Sequence, residues 1–421
     1  MSNNNLQIRD PLHGVIFISP HERHIIDSQV FQRLRNIKQV GFADFAFPGA
    51  THTRYAHSLG AMHFASQIFD RIFSESSLSV LEHKRFRQLV RLAALLHDLG
   101  HPPLSHTTEM IMPTLGELSG DFRESRQANH EDYTLLLIRE SELGALINTY
   151  FSDLELSAEH VARLIQKDFK DSYFYVNNID YGPVLSQIIS SEIDADRMDY
   201  LLRDSFFCGV NYGKFDSHWL IENLISVIQD GSAYLGLRAR AIFAFEDFLL
   251  SRYHMFVSVY LHHTPVIMEK MLERFFIDCP KDFTLPARPE AYIALDDIDL
   301  WQALRKSSNE WARRIVRREP YVMLVERCEN YHMNSTPLVA LQESVLKLAE
   351  AGVDTIIARS KSVLSHYVSK RTCELFVQSE SLKLVPLQEY SQIFSRYQNP
   401  AEFVRIFVDR KDLIEAQKVI T

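Results

Sequence analysis

Four residues, widely separated in the chain, have side chains suited to holding a metal ion. His97 and Asp98 are adjacent at the end of an apolar helical pattern, where Leu95 and Leu96 imply burial. An imidazole beside a carboxylate at a buried helix end is costly unless the pair bonds to backbone or something positive binds there. His57 lies on the stripe formed by Ala61, Phe64 and Ile68, a position where a lone histidine is more often a satisfied core residue. Asp196 sits in an apolar stripe between Ile189, Ile193 and Tyr200, where an unpaired carboxylate is hard to bury. Two imidazoles and two carboxylates meeting from three helices suit a divalent metal with mixed N/O ligands and open positions for water. Spacing alone leaves open whether they meet.

The elements that must position these residues are helical. Residues 84–98 place Phe86, Leu89, Val90, Ala93 and Leu96 on one helix face, with Gly100, Pro102 and Pro103 ending it. Residues 53–73 repeat the pattern, and residues 184–206 read as one further helix. The stretch Phe243 to Phe276 is long and amphipathic, and Pro265 predicts a kink or break in it. Short alternations at Val15–Ile18 and Ala233–Leu237 predict strands. A shift to Pro and charge at Asp278–Pro289 marks a boundary, and beyond it Tyr321–Val325 and Thr355–Ile357 read as β-like runs among helices. The expectation is a mostly α fold: a helical core over residues 1–280 and a smaller mixed α/β lobe over 281–421.

Composition narrows the class. Of 421 residues, 46% are hydrophobic and 24% charged, an ordinary globular balance. The net charge of −9 excludes a global basic field for nucleic acid or anionic membranes. No apolar run approaches the length of a membrane span. Cys208, Cys279, Cys328 and Cys373 are scattered without CxxC pairing, which argues against a disulfide framework or a cysteine zinc site. MSNNNLQIRDP lacks the blocks of a signal peptide, so a cytoplasmic protein is expected.

His57, His97-Asp98 and Asp196 match the H…HD…D signature of the HD superfamily of metal-dependent phosphohydrolases. RDPLHG (9–14), FQRLRNIKQVG (31–41), FPGATHTRYAHSLG (47–60), LLHDLGHPPLSH (95–106), NHE (129–131) and DADRMDYLLRD (194–204) follow in order. Over roughly residues 6–276 the chain resembles the deoxynucleoside triphosphate triphosphohydrolases, the group that contains SAMHD1 and its bacterial relatives. The resemblance implies cleavage of a dNTP between the α-phosphorus and the 5′ oxygen, releasing deoxynucleoside and tripolyphosphate. It assigns the metal to His57, His97, Asp98 and Asp196. The ion would be Mg or Mn, with Fe, Zn and Ni also compatible with N/O ligation. His106 becomes the general acid for the departing 5′ oxygen, oriented by Glu109 where relatives often carry Asp. His101 and His130 meet phosphate, with Glu131 supporting His130.

The same resemblance puts Arg197 and Arg252 on phosphate, and Tyr200, Asp204 and Gln39 at the sugar. Arg54 completes the phosphate contacts, and Tyr260 packs under the deoxyribose. Arg252, Phe256 and Tyr260 are spaced i, i+4, i+8 along one helix face. Several relatives are tetramers (dimers of dimers) activated by GTP or dNTP at subunit interfaces. Asp27, Gln32, Arg35 and Arg318 match positions of that site, with Arg313, Arg314 and Arg317 nearby, whereas Val322 replaces a lysine. A solvated basic face is the competing reading of that arginine cluster. Two other functions compete with the main one: a different HD phosphohydrolase, such as a nucleotidase or phosphodiesterase, and a catalytically silent nucleotide sensor or nucleic-acid-binding protein.

Overall fold

Helices make up most of a computed structural model that describes residues 6–120, 123–328, 338–362, 375–391, 393 and 401–420. The chain opens with an antiparallel hairpin of β1 (Leu6–Asp10) and β2 (Gly14–Ile18). A short helix α1 (Pro20–Ile26) follows, started by a capping box in which Ser19 and Glu22 satisfy each other's backbone amides. The central layer is α2 (Arg54–Ile72) packed on α3 (Val80–Leu96), with α7 (Ala195–Cys208) across α2. Around them stand α4 (His130–Glu140), α5 (Ala158–Gln166) and α6 (Gly182–Ile189).

Two predicted helices are each broken in two. Residues 184–206 do not form one helix: α6 stops at Ile189 and α7 starts at Ala195. Asp194 is the reason, because its carboxylate accepts from the Ser191 amide (2.7 Å) and the Arg197 amide (2.7 Å) and starts a new helix. Asp196 therefore lies in a first turn rather than in the middle of an apolar stripe. Between Phe243 and Phe276, α8 (Ile242–Met255) runs into a single π-helical turn, Phe256–Tyr260. The chain breaks at Leu261–His262, and α9 (His263–Asp278) carries Pro265 in its first turn, where a missing amide costs little.

The predicted strands form. Between α7 and α8, β3 (Leu224–Gln229) and β4 (Ser232–Arg238) make a hairpin. In the C-terminal part, α10 (Asp297–Lys306) and α11 (Glu310–Arg317) precede a three-stranded antiparallel sheet. Its order is β5 (Val322–Cys328), β8 (Ala401–Val408), β6 (Thr355–Ser362). Helices α12 (Leu338–Glu350) and α13 (Leu413–Ile420) cover this sheet through Leu341, Leu348 and Ala416. This is the smaller mixed α/β region. Strand β7 (Phe376–Gln378) joins β4 in parallel. The core around α2, α3 and α7 also takes in Tyr292, Leu300, Leu375 and Phe407, so chain from both sides of residue 280 builds it. Cys208 and Cys279 are free thiols, while Cys373 and the Cys328 side chain lie outside the described residues. Among the described residues, no helix is long and apolar enough to cross a membrane.

One buried ion pair fastens the N-terminal hairpin and α1 to the helix that ends in His97-Asp98. Arg91 of α3 donates to both Glu22 oxygens (2.5 and 2.9 Å) and to the Phe17 carbonyl (3.0 Å), and Gln88 adds a bond to Glu22 (2.8 Å). Truncating one partner strands the other charge in a dry site. Arg91→Ala is expected to lower the unfolding free energy by roughly 3–5 kcal/mol in urea titration. A loss below about 1 kcal/mol would show that the pair is dispensable.

Candidate active site

The four predicted ligands converge. His57 stands in the first turn of α2, His97 caps the end of α3 with Asp98 next to it, and Asp196 occupies the first turn of α7. Asp196 Oδ1 lies 3.0 Å from His57 Nε2 and 3.4 Å from His97 Nε2. Asp98 approaches the same two nitrogens at 3.5 and 3.4 Å. Both Nε2 atoms are buried and lack a hydrogen-bond partner. Their other nitrogens are engaged: His57 Nδ1 with Asp199 at 2.9 Å and His97 Nδ1 with the Ala94 carbonyl at 2.7 Å. Those bonds fix the tautomers so that each Nε2 lone pair faces the carboxylates, as a metal-ligating histidine requires. The residues present fit a divalent ion held by His57, His97, Asp98 and Asp196.

Behind this set lies a second, largely buried network that the sequence reading missed. Asp199, three residues past Asp196, accepts from His57, from His13 (2.6 Å) and from both Nε and Nη2 of Arg203 (2.8 and 3.0 Å). Arg203 continues to Asp10 (2.8 Å), so the RDPLHG turn of the hairpin anchors the orientation of His57. Gly60 makes room for it, since a Cβ there would sit 1.9 Å from Asp199 Oδ1 and 2.4 Å from Arg203 Nη2. Burial opposes charge on His57, yet the closeness of the Asp196, Asp199 and Asp98 carboxylates raises it to about 10. Without a metal, the surplus of carboxylates draws a proton onto the imidazole.

The loop after Asp98 carries the remaining histidines. His101, His106 and His130 cluster, with His101 stacked on His130 at 3.9 Å. Glu109 Oε1 lies 2.9 Å from His106 Nδ1 and 2.6 Å from His130 Nδ1. Burial pushes Glu109 up, but these two hydrogen bonds and the imidazole charges outweigh it and hold its carboxyl at about 2. His106 is two-thirds exposed (67%) and free to meet a ligand, whereas His101 is buried with Nε2 unpartnered. The carboxylate bound to His130 is Glu109, while Glu131 lines the cavity alongside.

The loop is strained and clamped. Leu104 and Ser105 both adopt left-handed φ (57° and 59°), a conformation that costs about 1–3 kcal/mol per non-glycine residue. Asp297 of α10 accepts from the Leu104 amide (2.7 Å) and the Lys38 amide (3.0 Å). Arg54 donates to Ser105 Oγ (2.7 Å) and to Asp98 (2.5 Å), joining the loop to the metal ligands. Tyr292 donates to the Gly100 carbonyl (2.6 Å) and Arg33 to the His101 carbonyl (2.9 Å). Gly100 is packed on α4 so tightly that a Cβ would lie 2.0 Å from the His130 carbonyl.

A cavity of about 720 Å³ opens over these groups. Gln39, Arg54, Tyr200, Asp204 and Tyr260 line it as well. Tyr260, brought inward by the π turn, donates to Asp204 (2.6 Å), and His52 holds the other Asp204 oxygen (2.7 Å). Arg197 and Arg252 are not among its lining residues. Arg197 is bound to the Asp194 carboxylate and the Ser191 carbonyl, and Arg252 to Glu192 (3.3 Å). Lys167, at the left-handed end of α5, lines the cavity instead and donates to the Ser190 carbonyl (3.2 Å). No sequence signal marked Lys167, whereas Asp199 was visible at i+3 from Asp196.

The candidate activator residues lie apart from this cavity. Arg35 bonds Gln32 (2.6 Å) and covers the Tyr55 ring, Gln32 bonds the Ile26 carbonyl (2.7 Å), and Asp27 pairs with Arg23 (3.1 Å). Arg318 sits over Phe45, and its neighbour Arg314 is neutralised by Glu310 and Asp409.

The family described as HD domain matches residues 54–204, and the HD associated region matches residues 215–374. A solved structure of a hypothetical protein from Aquifex aeolicus superposes with a TM-score of 0.77 at 30% identity, covering 99% of this chain and 100% of that one. The chain belongs to the HD-domain superfamily. It is 34% identical over 318 residues to the uncharacterized protein MJ1154 of Methanocaldococcus jannaschii, covering 76% of this chain and 59% of that protein. It is also 30% identical over 296 residues to a deoxynucleoside triphosphate triphosphohydrolase SAMHD1 homolog of Dictyostelium discoideum, covering 69% of this chain and 53% of that protein. It is thus a distant homologue of SAMHD1-like proteins, and it spans little more than half the length of these curated relatives. As in other HD domains, the His/Asp set is one capable of holding a divalent metal.

Two outcomes follow. Asp199→Ala, which leaves Arg203 and His57 without their buried partner, is expected to cost roughly 3–5 kcal/mol and to lower bound metal, read by elemental analysis of folded protein. Full metal occupancy in that variant would remove the orienting role of Asp199. Burial pushes the Asp297 carboxyl from 3.8 up to about 6. Between those values the folded state binds more protons than the unfolded one, so this group's contribution to stability falls as pH rises from 4 to 6. Wild type should therefore lose stability relative to Asp297→Asn over that window, by roughly 2–3 kcal/mol, and a pH-independent difference would contradict it.

Proposed function

We propose that the chain is a metal-dependent HD-type phosphohydrolase and, more narrowly, that it hydrolyses deoxynucleoside triphosphates to deoxynucleoside and tripolyphosphate. The broader reading is carried by one observation: His97, Asp98 and Asp196 line one cavity with the His101–His106–His130 cluster, and His57 lies directly behind them, 3.0 Å from Asp196. A divalent ion bound there supplies Lewis-acid polarisation of a phosphate oxygen and acidification of a water. Arg54 and Lys167 offer positive charge to the phosphates. His106, held through Nδ1 by Glu109, presents Nε2 to protonate the departing ester oxygen.

The narrower reading rests on the Tyr260–Asp204–His52 wall and on likeness to the SAMHD1 homolog. Tyr260 and Asp204 are fixed by their mutual bond, and a phenol packed there would crowd a 2′-hydroxyl while Asp204 receives a 3′-hydroxyl. A second reading, a nucleotidase or phosphodiesterase on the same metal set, is favoured by one fact. Arg197 and Arg252 are tied to Asp194 and Glu192, which leaves fewer free cations than a triphosphate chain would use.

Turnover with Mg²⁺ or Mn²⁺ and each dNTP, singly and mixed, separates the readings by product. Tripolyphosphate with deoxynucleoside is expected, with activity falling at least about 10³-fold in Asp98→Ala. In Tyr260→Ala, discrimination against ribonucleotides should drop by roughly tenfold or more. Activity in mixtures alone would assign an activating role to the Asp27–Arg35 surface and an assembly of several copies. Orthophosphate or pyrophosphate would move the enzyme to the second reading. No product with any metal would leave a nucleotide sensor.

A further inference from the structure

The break between α6 and α7 does more than start a helix. Residues 190–194 hold Lys167, Arg197 and Arg252 at the edge of the cavity. Lys167 donates to the carbonyl and hydroxyl of Ser190 (3.2 and 3.3 Å), Arg197 to Ser191 and Asp194, and Arg252 to Glu192 (3.3 Å). These holds differ in quality. Arg197 meets a carboxylate and a carbonyl together, whereas Arg252 and Glu192 are both buried and joined by a long bond, with Arg252 Nε unpartnered. The Arg91–Glu22 pair, with bonds of 2.5 and 2.9 Å to the two carboxylate oxygens, shows a fully made buried pair in the same chain. A buried pair as loosely joined as Arg252–Glu192 recovers little of what its desolvation costs, so a better anion displaces it readily.

Arg252 stands one side chain from the cavity. Its guanidinium lies 5.8 Å from the centroid of the Phe256 ring, and Phe256 and Tyr200 line the cavity. Burial pushes the Tyr200 phenol up to about 12, against the nearby charges of Arg252 and Arg197, which pull it down. Tyr200 in turn lies 6.5 Å from His57 between ring centroids. A phosphate chain extending from the metal set past Tyr200 therefore comes within reach of a guanidinium. Phosphate offers more charge than a carboxylate and more acceptor oxygens for the guanidinium fork.

We propose that Glu192 is an internal competitor of the substrate's phosphates: it keeps Arg252 out of the cavity until a triphosphate draws the arginine in. Glu192 touches no substrate in this scheme and acts through Arg252, as a positioning residue. When Arg252 moves, Glu192 is left buried without its cation, and that cost weakens substrate binding. Glutamine at the same position carries no charge to strand, so Arg252 is available from the start.

This inference rests on the reading that a nucleotide's phosphates occupy the cavity, and the experiment separates the two. KM and kcat for each dNTP, and the rise in Tm caused by inorganic tripolyphosphate in excess Mg²⁺, are measured for wild type, Glu192→Gln, Glu192→Asp and Glu192→Gln/Arg252→Gln. Glu192→Gln is expected to lower KM by roughly ten- to a hundredfold, the worth of a hydrogen bond to a charged group, with kcat changed by less than about twofold. Its Tm without ligand should fall, and tripolyphosphate should raise it by more than in wild type. Glu192→Asp, which keeps the charge, should lie nearer wild type, and the double variant should lose the gain. An unchanged or higher KM in folded Glu192→Gln, or a gain that persists without Arg252, would overturn the inference while leaving dNTP hydrolysis standing. A crystal structure of wild type with tripolyphosphate needs no variant: Arg252 is expected on phosphate, and Arg252 still on Glu192 beside bound tripolyphosphate would overturn the inference too. Turnover of no dNTP, with the tripolyphosphate effects as expected, would overturn the dNTP reading alone.

Discussion

The structure is organised around negative charge concentrated out of water. Asp98, Asp196 and Asp199 all crowd His57, and Asp10 stands one step behind. Against these four carboxylates the same network sets two guanidiniums, Arg54 and Arg203. With neutral imidazoles, two negative charges remain unmatched at the spot where two Nε2 lone pairs point. A divalent cation neutralises that deficit, and in its absence protonation of His57 is the response. Much of the core can be read as the means of enforcing this arrangement. Gly60 admits Asp199, the N-terminal hairpin delivers Asp10 and His13, and Arg91 ties that hairpin to the helix bearing His97.

The histidine loop is held from the opposite side by residues that come late in the chain. Two successive left-handed, non-glycine residues persist because their neighbours over-determine them: Asp297 takes the Leu104 amide, and Ser105 bonds both Arg54 and the Lys38 carbonyl. Tyr292, stacked on Tyr133, grips the Gly100 carbonyl. The segment that follows the Pro-rich boundary is thereby structurally coupled to the groups that would meet phosphate. The same loop receives Arg33, which lies between the Asp27–Arg35 surface and the cavity.

The charges of the cavity are distributed economically. The chain carries a net charge of −9, so attraction of an anionic substrate depends on local groups. Arg54 and Lys167 line the cavity, Arg54 already paired with Asp98, whereas Arg197 and Arg252 are held by Asp194 and Glu192 outside its lining.

Much of this was legible in the sequence, for identifiable reasons. Periodicity located α2 and α3, because helices that bury one face must repeat apolar residues every three or four positions. The residue types at 57, 97, 98 and 196 suited a divalent metal, and the resemblance assigned it to them. Resemblance paired His106 with Glu109, which lie 2.9 Å apart, but it paired His130 with Glu131, whereas Glu109 is the carboxylate His130 meets. What failed was local. The 184–206 pattern continues through a break that Asp194 creates, because apolar spacing is blind to a side chain capping backbone amides. The π turn that carries Tyr260 to Asp204 leaves no mark on spacing either. Tertiary structure alone decided the rest. Charge pairing across long sequence separations gave Asp199 its place behind His57, took Arg197 and Arg252 out of the cavity and put Lys167 into it. The sequence names the donors and acceptors, but which carboxylate meets which cation depends on distances of a few ångströms that exist after the helices pack.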